Sequence, residues 1–298
     1  MMDTEALRTF VAIERAGGFS GAAEALGRSQ PAISRRIALL EAELGAPLFE
    51  RLPGGVVLSQ AGRVLMPYAE RVLAATQDAA EAMRALRAGD SGPVAIAAVG
   101  TLAGGGLTAA LKRFAADFPR AKVSLRTATS AQVSDLVRRG EVTLGLRYFD
   151  DPSPDLACRA LAPEALVVVC APEHRLAGGR TASLRDLKAE AWLGFPPPAE
   201  GGEISAGALP ALFRVRGVAE IALTAVDSLT AQKRLAEAGF GIALLPVNSV
   251  AEERARGSLA VIAVGDLEAA NPVSLVTRRS GYVSPAAWAL IARLASAS

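Results

Sequence analysis

Histidine is almost absent from this chain of 298 residues, with His174 the sole example. Zinc sites with paired imidazoles, mixed His-Cys sites and serial proton relays all need more groups than that, which excludes most metal and acid–base enzymology. Cysteine is nearly as scarce: Cys158 and Cys170 cannot build a four-cysteine zinc site and match neither a CxxC redox pair nor a disulfide framework. Long apolar runs are missing too. Mean hydropathy is +0.30, yet the longest such stretch, Ala165–Pro172, falls far short of the ~18 residues a membrane span requires. The start, MMDTEALRTF, shows no basic stretch leading into an apolar run, so no secretory signal is expected and the reading is cytoplasmic. Neither sign of charge dominates. With 32 Lys+Arg against 30 Asp+Glu, the formal charge of +2 neither demands nor forbids a nucleic-acid partner.

What is present is ample core. A hydrophobic content of 51% over a length suited to about two domains excludes disorder as the main state. Residues 1 to about 58 read as short helices with tight breaks. Leu7, Phe10 and Val11 form the stripe of the first, which Gly17-Gly18 ends; Ser20 is the expected N-cap of a second that Gly27 stops. Ser29 is expected to cap a third helix, with Pro31 tolerated in its first turn and Ile33, Ile37, Leu40 and Leu44 facing inward. Ala23, Gly27 and Ile33 have the spacing of a helix-turn-helix: a small residue at the crossing, a glycine for the turn and a branched residue locking the second helix. Between Arg28 and Arg36 lie three arginines and no acid. Gln30, Pro31, Ser34 and Arg35 share the outward face of the third helix, where polar groups meet base edges and phosphates and the helix N-terminus adds partial positive charge. The plainer reading of this face is a solvated helical hairpin.

From Ser59, a further capping residue, one long helix is expected to about Ala88. Leu65, Tyr68, Val72, Ala75, Ala79, Met83 and Leu86 are spaced close to a heptad seam. About 28 helical residues span roughly 42 Å, longer than the small domain before them, so the stripe needs an outside partner, its own copy in a dimer. Pro67 is the objection. GDSGP at 89–93 breaks the chain as a linker. Beyond it, strands at 94–99, 123–127, 142–147, 166–170, 221–224, 242–245 and 273–277 alternate with helices at 107–118, 131–139, 184–189, 229–238 and 285–295, which implies a largely parallel sheet with helical crossovers.

The run LRTFVAIERAGGFSGAAEALGRSQPAISRRIALLEAELGAPLFER, followed by LSQAGRVL, resembles the winged helix-turn-helix and linker helix of LysR-type transcriptional regulators. SGPVAIAAVG, LVRRGEVTLGL, LVVVCAPEHRLA and LAEAGFGIALLP resemble successive parts of their effector domain, so the likeness covers the whole chain. It implies an α+β protein with a winged helix-turn-helix at 1–58, a dimerising linker helix at 59–90 and a two-lobed α/β effector domain at 91–298, similar to periplasmic solute-binding proteins. Lobe I would take about 91–162 and 267–298, and lobe II about 163–266. The resemblance implies a regulator, not an enzyme, with double-stranded operator DNA and a small-molecule effector as partners, no cofactor, and dimers or tetramers. By position, its DNA contacts fall on Gln30, Pro31, Ser34 and Arg35 and on Arg51 near the wing. Two departures stand out. Leu52, Pro53, Gly54 and Gly55 occupy the wing tip where basic residues are usual, and Thr143 replaces an aspartate.

Ligands of two-lobed α/β domains lie in the crevice beyond the strand C-termini. Gly100–Gly106, Thr127–Ser130, Phe195–Pro198 and Asp227–Thr230 qualify. Thr101 and Ser130 match the family's effector-binding hydroxyls, and Arg147 at the end of VTLGLR would point a fork of donors the same way, which leans toward an anionic effector such as a carboxylate. The plainer readings are helix caps for the hydroxyls and a structural ion pair for Arg147. Two other functions compete with this one. Gly104, Gly106 and Ala109 spell the GxGxxA of a dinucleotide-dependent oxidoreductase, but too far past the strand end at Val99 and with no acid after VSLRT. A redox-sensing regulator would use Cys158 and Cys170, although Cys170 in ALVVVC reads as a packed small hydrophobe. A free solute-binding protein would share the lobes but need export, and would not carry residues 1–88.

Overall fold

The computed structural model describes residues 2–53, 55–88, 92–196 and 208–296. The chain forms two compact units: Met1–Arg87 with Arg138–Glu141 and Ser280–Tyr282, and Ala88–Val137 with Val142–Arg279 and Val283–Ser298.

The first unit opens with α1 (Thr4–Arg15), whose N-cap Asp3 accepts from the Ala6 N–H at 2.7 Å. Leu7, Phe10, Val11 and Ile13 bury its inner face. Then follow α2 (Phe19–Leu26) and α3 (Gln30–Leu44). Gly27 ends α2 in the left-handed conformation, φ 61°, that a side chain there would disfavour. Ser20 does not cap α2, because the helix starts at Phe19, two residues earlier, with Gly18 at its N-cap. Ser29 stands at the N-cap of α3 without a side-chain capping bond. Ile33, Ile37 and Leu40 are buried as their spacing demands, but Leu44 is 40% exposed in the last turn before Gly45.

The antiparallel hairpin of β1 (Phe49–Leu52) and β2 (Gly55–Leu58) forms the wing. The Phe49 ring lies 5.3 Å from that of Phe10 and 5.7 Å from that of Phe19, tying the wing's root to the helical core. Next, α4 (Gln60–Ala88) begins at Ser59, whose hydroxyl donates to the Pro47 carbonyl and accepts from the Gly62 N–H at 3.0 Å. Gly62 is required, since a Cβ there would stand 2.2 Å from the Leu48 carbonyl oxygen. The helix runs on through Pro67, which is exposed. Its Leu65, Met66, Ala69 and Leu73 pack on the helical core. Tyr68 and Met83, 56% and 55% exposed, join Val64, Val72, Ala75 and Ala79 in an outward apolar row; the side chain of Leu86 lies outside the described residues.

The second unit alternates strands and helices: β3 (Val94–Val99), α5 (Gly105–Asp117), β4 (Val123–Ala128), α6 (Ser130–Arg138), β5 (Leu144–Tyr148), β6 (Leu156–Cys170), β7 (Arg180–Thr181), β8 (Ala191–Gly194), α7 (Ala208–Arg214), β9 (Ala222–Ala225), α8 (Leu229–Glu237), β10 (Ile242–Pro246), α9 (Ala251–Arg256), β11 (Ala260–Val264), β12 (Ala270–Arg278) and α10 (Pro285–Ser296). The sheet is not largely parallel. Parallel sets β4-β3-β5 and β10-β8-β9 stand on either side of β12 and β6, which run antiparallel to each other and to their outer neighbours β5 and β10. The pairing of β12 with β6 slips between Asn271 and Val273. Each set has its own core: Ile96, Phe114, Leu144 and Leu290 pack on the first, and Trp192, Phe213 and Ile242 on the second. Gly145 lets α6 approach β5, since a Cβ there would lie 2.5 Å from Val133.

Candidate functional site

On the first unit, α3 presents Gln30, Pro31 and Arg35 to solvent, with Ser34 half-buried beside them. Among the described residues, the guanidinium groups of Arg28 and Arg35 have no ion-pair partner, whereas Arg36 reaches Glu5 at 3.5 Å. Two of the three arginines of the basic patch are therefore available to a polyanion. Arg51 lies in β1 opposite Val56, with its side chain outside the described residues. Leu52 and Pro53 are exposed at the wing tip, and Gly54 lies outside the described residues.

Within the second unit, a cavity of about 420 Å³ is walled by the C-terminal ends of both parallel sets. Thr101, Thr127, Thr129, Gln132, Tyr148, Asp227 and Asn271 supply its polar groups, and Leu193, Leu223, Leu244 and Pro246 are among its apolar walls. Of the three residues expected there, Thr101 lines the cavity; Ser130 and Arg147 do not. All three converge instead on Tyr148. The Thr101 hydroxyl lies 2.6 Å from the Tyr148 hydroxyl, Ser130 Oγ accepts the Tyr148 N–H at 3.1 Å, and Arg147 Nε donates to the Tyr148 carbonyl at 3.3 Å. Arg147 is buried, and its Nη1 is taken by Asp151 at 2.7 Å and Ser134 at 2.8 Å. The fork of donors expected to face an anion is thus an internal ion pair, and the anionic lean loses Arg147 as its support.

Tyr148 also donates to Glu164 Oε2 at 2.6 Å. Burial, then the charge and hydrogen bond of Glu164, push its phenol well above the usual range. Burial raises Glu164 as well, partly offset by the tyrosine's hydrogen bond. Burial would also raise Asp151, but hydrogen bonds from Ser153 and Ser134 and the charge of Arg147 hold it down at about 2. Sequence reasoning singles out neither Tyr148 nor Glu164. The available signals were a tyrosine directly after the chosen arginine at a strand end and one acid, Glu164, in the otherwise apolar run APEALVVVC.

The competing sites fail on geometry. A turn of 3₁₀ helix at Gly100–Ala103 separates β3 from α5, which puts Gly106 inside the helix rather than at the strand end where a dinucleotide fingerprint begins. Cys158 and Cys170 lie twelve residues apart on the single strand β6, so at roughly 3.3 Å per residue they stand about 40 Å apart, far beyond disulfide reach. Burial and the Glu190 carboxylate push Cys170 up to about 11, away from the reactive thiolate. Among the described residues no His, Cys, Asp and Glu cluster suits a metal ion, and no helix is long and apolar enough to cross a membrane.

A helix-turn-helix with unpaired Arg28 in its turn and unpaired Arg35 on its second helix, followed by an α/β unit with a cavity between two strand sets, has the parts of a DNA-binding regulator controlled by a small ligand. Comparison with known proteins gives the same class. Residues 4–63 match the family model described as bacterial regulatory helix-turn-helix protein, lysR family, and residues 87–298 match the LysR substrate binding domain. The chain is 32% identical to the HTH-type transcriptional regulator CbbR of Rhodospirillum rubrum over 98% of this chain and 95% of that protein. It is similar along 100% of both chains to full-length CbnR complexed with its target DNA, at a TM-score of 0.67 and 28% identity. Corynebacterium glutamicum OxyR, as an H₂O₂-bound cysteine-to-serine mutant, is similar at a TM-score of 0.60 and 28% identity over 99% of this chain and 94% of that one. The chain belongs to the LysR family of DNA-binding transcriptional regulators, with an N-terminal helix-turn-helix and a C-terminal effector-binding domain.

Proposed function

We propose that Gln30, Pro31, Ser34 and Arg35 on α3, with Arg51 on the wing, contact operator DNA, that the protein performs no chemistry of its own, and that it acts in the cytoplasm. The observation that carries the DNA reading is the guanidinium of Arg35, unpaired among the described residues, on the outward face of a helix whose inner face is buried. The target-DNA complex of CbnR, similar along the whole chain, supports it. We keep the division at 1–58, 59–90 and 91–298, with the outward apolar row of α4 pairing copies into a dimer or tetramer. The effector sits in the 420 Å³ cavity against Thr101, while Ser130 and Arg147 act behind Tyr148. It works by favouring one arrangement of the paired DNA-binding domains over another, with a typical coupling of about 1–3 kcal/mol. The test is footprinting on the DNA upstream of the protein's own gene and its neighbours. Protection of a defined site, lost in Arg35→Ala, is the expected result; an equal footprint from the variant removes α3 from the interface.

A further inference from the structure

Residues Arg138–Glu141 fold with the first unit, although the chain on either side of them belongs to the second. They continue α6, a helix of about 13 Å that starts at Ser130, between the cavity-lining Thr129 and Gln132, and ends at Arg138. Gly140, left-handed at φ 71°, turns the chain, and the Val142 N–H closes the turn on the Leu136 carbonyl at 3.3 Å. Arg139 and Glu141 flank that glycine, and each meets a residue far earlier in the sequence. Arg139 Nε stands 2.6 Å from Glu70 Oε1, and Glu141 Oε1 stands 3.0 Å from Arg15 Nη1. Arg15 also reaches Glu70 at 3.7 Å, so charges of alternating sign run through Arg139, Glu70, Arg15 and Glu141.

Glu70 decides what this row of charges is worth. It lies on the face of α4 that also carries Met66 and Leu73, which pack on the helical core, and its side chain is only 10% exposed. A carboxylate so placed costs free energy unless cations replace its water, and removing one partner of such a group is far more damaging than breaking a surface pair. Arg139 is the nearer of its two cations. The pair of Arg15 with Glu141 is more exposed and adds little by itself, but it fixes the loop from the other side of Gly140. We infer that these four residues form an ionic latch that clamps the end of α6 to α1 and α4, and that the latch helps to set the arrangement in which the regulator holds DNA. The helices it grips share one core with α3. Besides the linker at 89–93, the latch is a second connection between the chain that walls the cavity and the helices that bind DNA, and α6, as a single helix, has the cavity at one end and the latch at the other.

Amide hydrogen exchange of the full-length protein, read by mass spectrometry, tests the latch without DNA or ligand. Arg139→Gln should speed exchange in the last turn of α6 and across 138–141 by about tenfold while β3 keeps its wild-type rates, and Arg139→Lys, which retains the charge, should stay within about twofold of wild type. Glu70→Gln should match Arg139→Gln, and the double variant should exceed neither, because each loses the same interaction. Should Arg139→Gln also speed β3, the whole fold has loosened, and Glu141→Gln, which leaves Glu70 with both arginines, decides instead through a smaller acceleration confined to 138–141. Unchanged exchange at 138–141 in the deciding variant, or additive effects in the double variant, overturns the latch. Footprinting on a duplex that the wild type selects from a random pool reads the consequence for DNA: Arg139→Gln should change the length of the protected region with no ligand present. An opened latch with a wild-type footprint overturns its role in the DNA-bound arrangement. A footprint changed by Arg139→Gln yet kept by Arg35→Ala leaves the latch standing and refutes the assignment of α3 instead.

Discussion

The Tyr148 hydroxyl donates to the Glu164 carboxylate across 2.6 Å, joining the end of β5 to the middle of β6 at the wall of the cavity. A half-buried carboxylate loses hydration and is stable there because a donor replaces it. Tyr148→Phe removes that donor and should lower stability by about 1–3 kcal/mol, the cost of an unsatisfied buried acceptor. The double variant Tyr148→Phe, Glu164→Leu should recover most of the loss, since no unpaired group remains. Denaturant melts of both variants decide it; a double variant no better than the single one shows that the tyrosine acts through packing.

Arg147 makes a second, sharper case. Its side chain and that of Asp151 are only 10% and 11% exposed, so removing one partner strands the other's charge. Arg147→Ala should destabilise the fold by about 3–5 kcal/mol, whereas Arg147→Met with Asp151→Asn should cost far less. A stable Arg147→Ala protein with a blunted effector response would restore the arginine as a ligand contact.

On α3, Arg35→Ala should weaken operator binding by about 1–3 kcal/mol and leave thermal stability unchanged. Arg36→Ala should do less, because Arg36 already pairs with Glu5 on the surface. Fluorescence anisotropy with labelled operator, repeated across salt concentrations, measures both effects; the wild-type affinity should fall steeply with salt.

The outward row of α4 predicts the assembly. Met83→Asp places a charge in an apolar seam and should shift the protein toward smaller species in light scattering. Val72→Asp should act the same way. A wild type that is monomeric at micromolar concentration overturns the dimer seam.

Acid should destabilise the second unit through identifiable groups. Asp151 and Asp266 both titrate at about 2 when folded. For Asp266, burial raises the value, and the Leu184 N–H, the Ser183 hydroxyl and Arg216 outweigh it. Both folded values lie below the ordinary aspartate value of ~3.9, so their contribution is present at neutral pH and is lost as pH falls from about 4 toward 2. Asp266→Asn should flatten that part of the stability–pH curve in urea titrations, and an unchanged curve would assign the acid sensitivity elsewhere.

The helical half was legible because its signals are local. Ile33, Ile37 and Leu40 bury at their expected spacing, and Gly27 takes the left-handed turn that only its position announced. Leu44 misled because a period says nothing about where the core stops. The sequence reads as a largely parallel sheet because the first ten residues of β6, LACRALAPEA, mix Arg159, Pro163 and Glu164 into a strand whose apolar pattern they break. Part of each loop after the strands lines the cavity, but which side chain faces it is decided by contacts across the sequence. Arg147 turns to a residue four positions on, and Tyr148 to one sixteen positions on, and no periodicity encodes either choice.

The slip in pairing between β12 and β6 falls where two prolines face each other. Pro163 and Pro272 both sit at that seam and neither has an N–H to give, so the ladder is regular on either side and thin between Asn271 and Val273. Glu164 and Asn271, the two residues that hold the Tyr148 phenol from β6 and β12, are paired across the same seam. The irregular stretch of the ladder and the wall of the cavity are one piece of backbone, so the phenol is held by the two residues that flank the break.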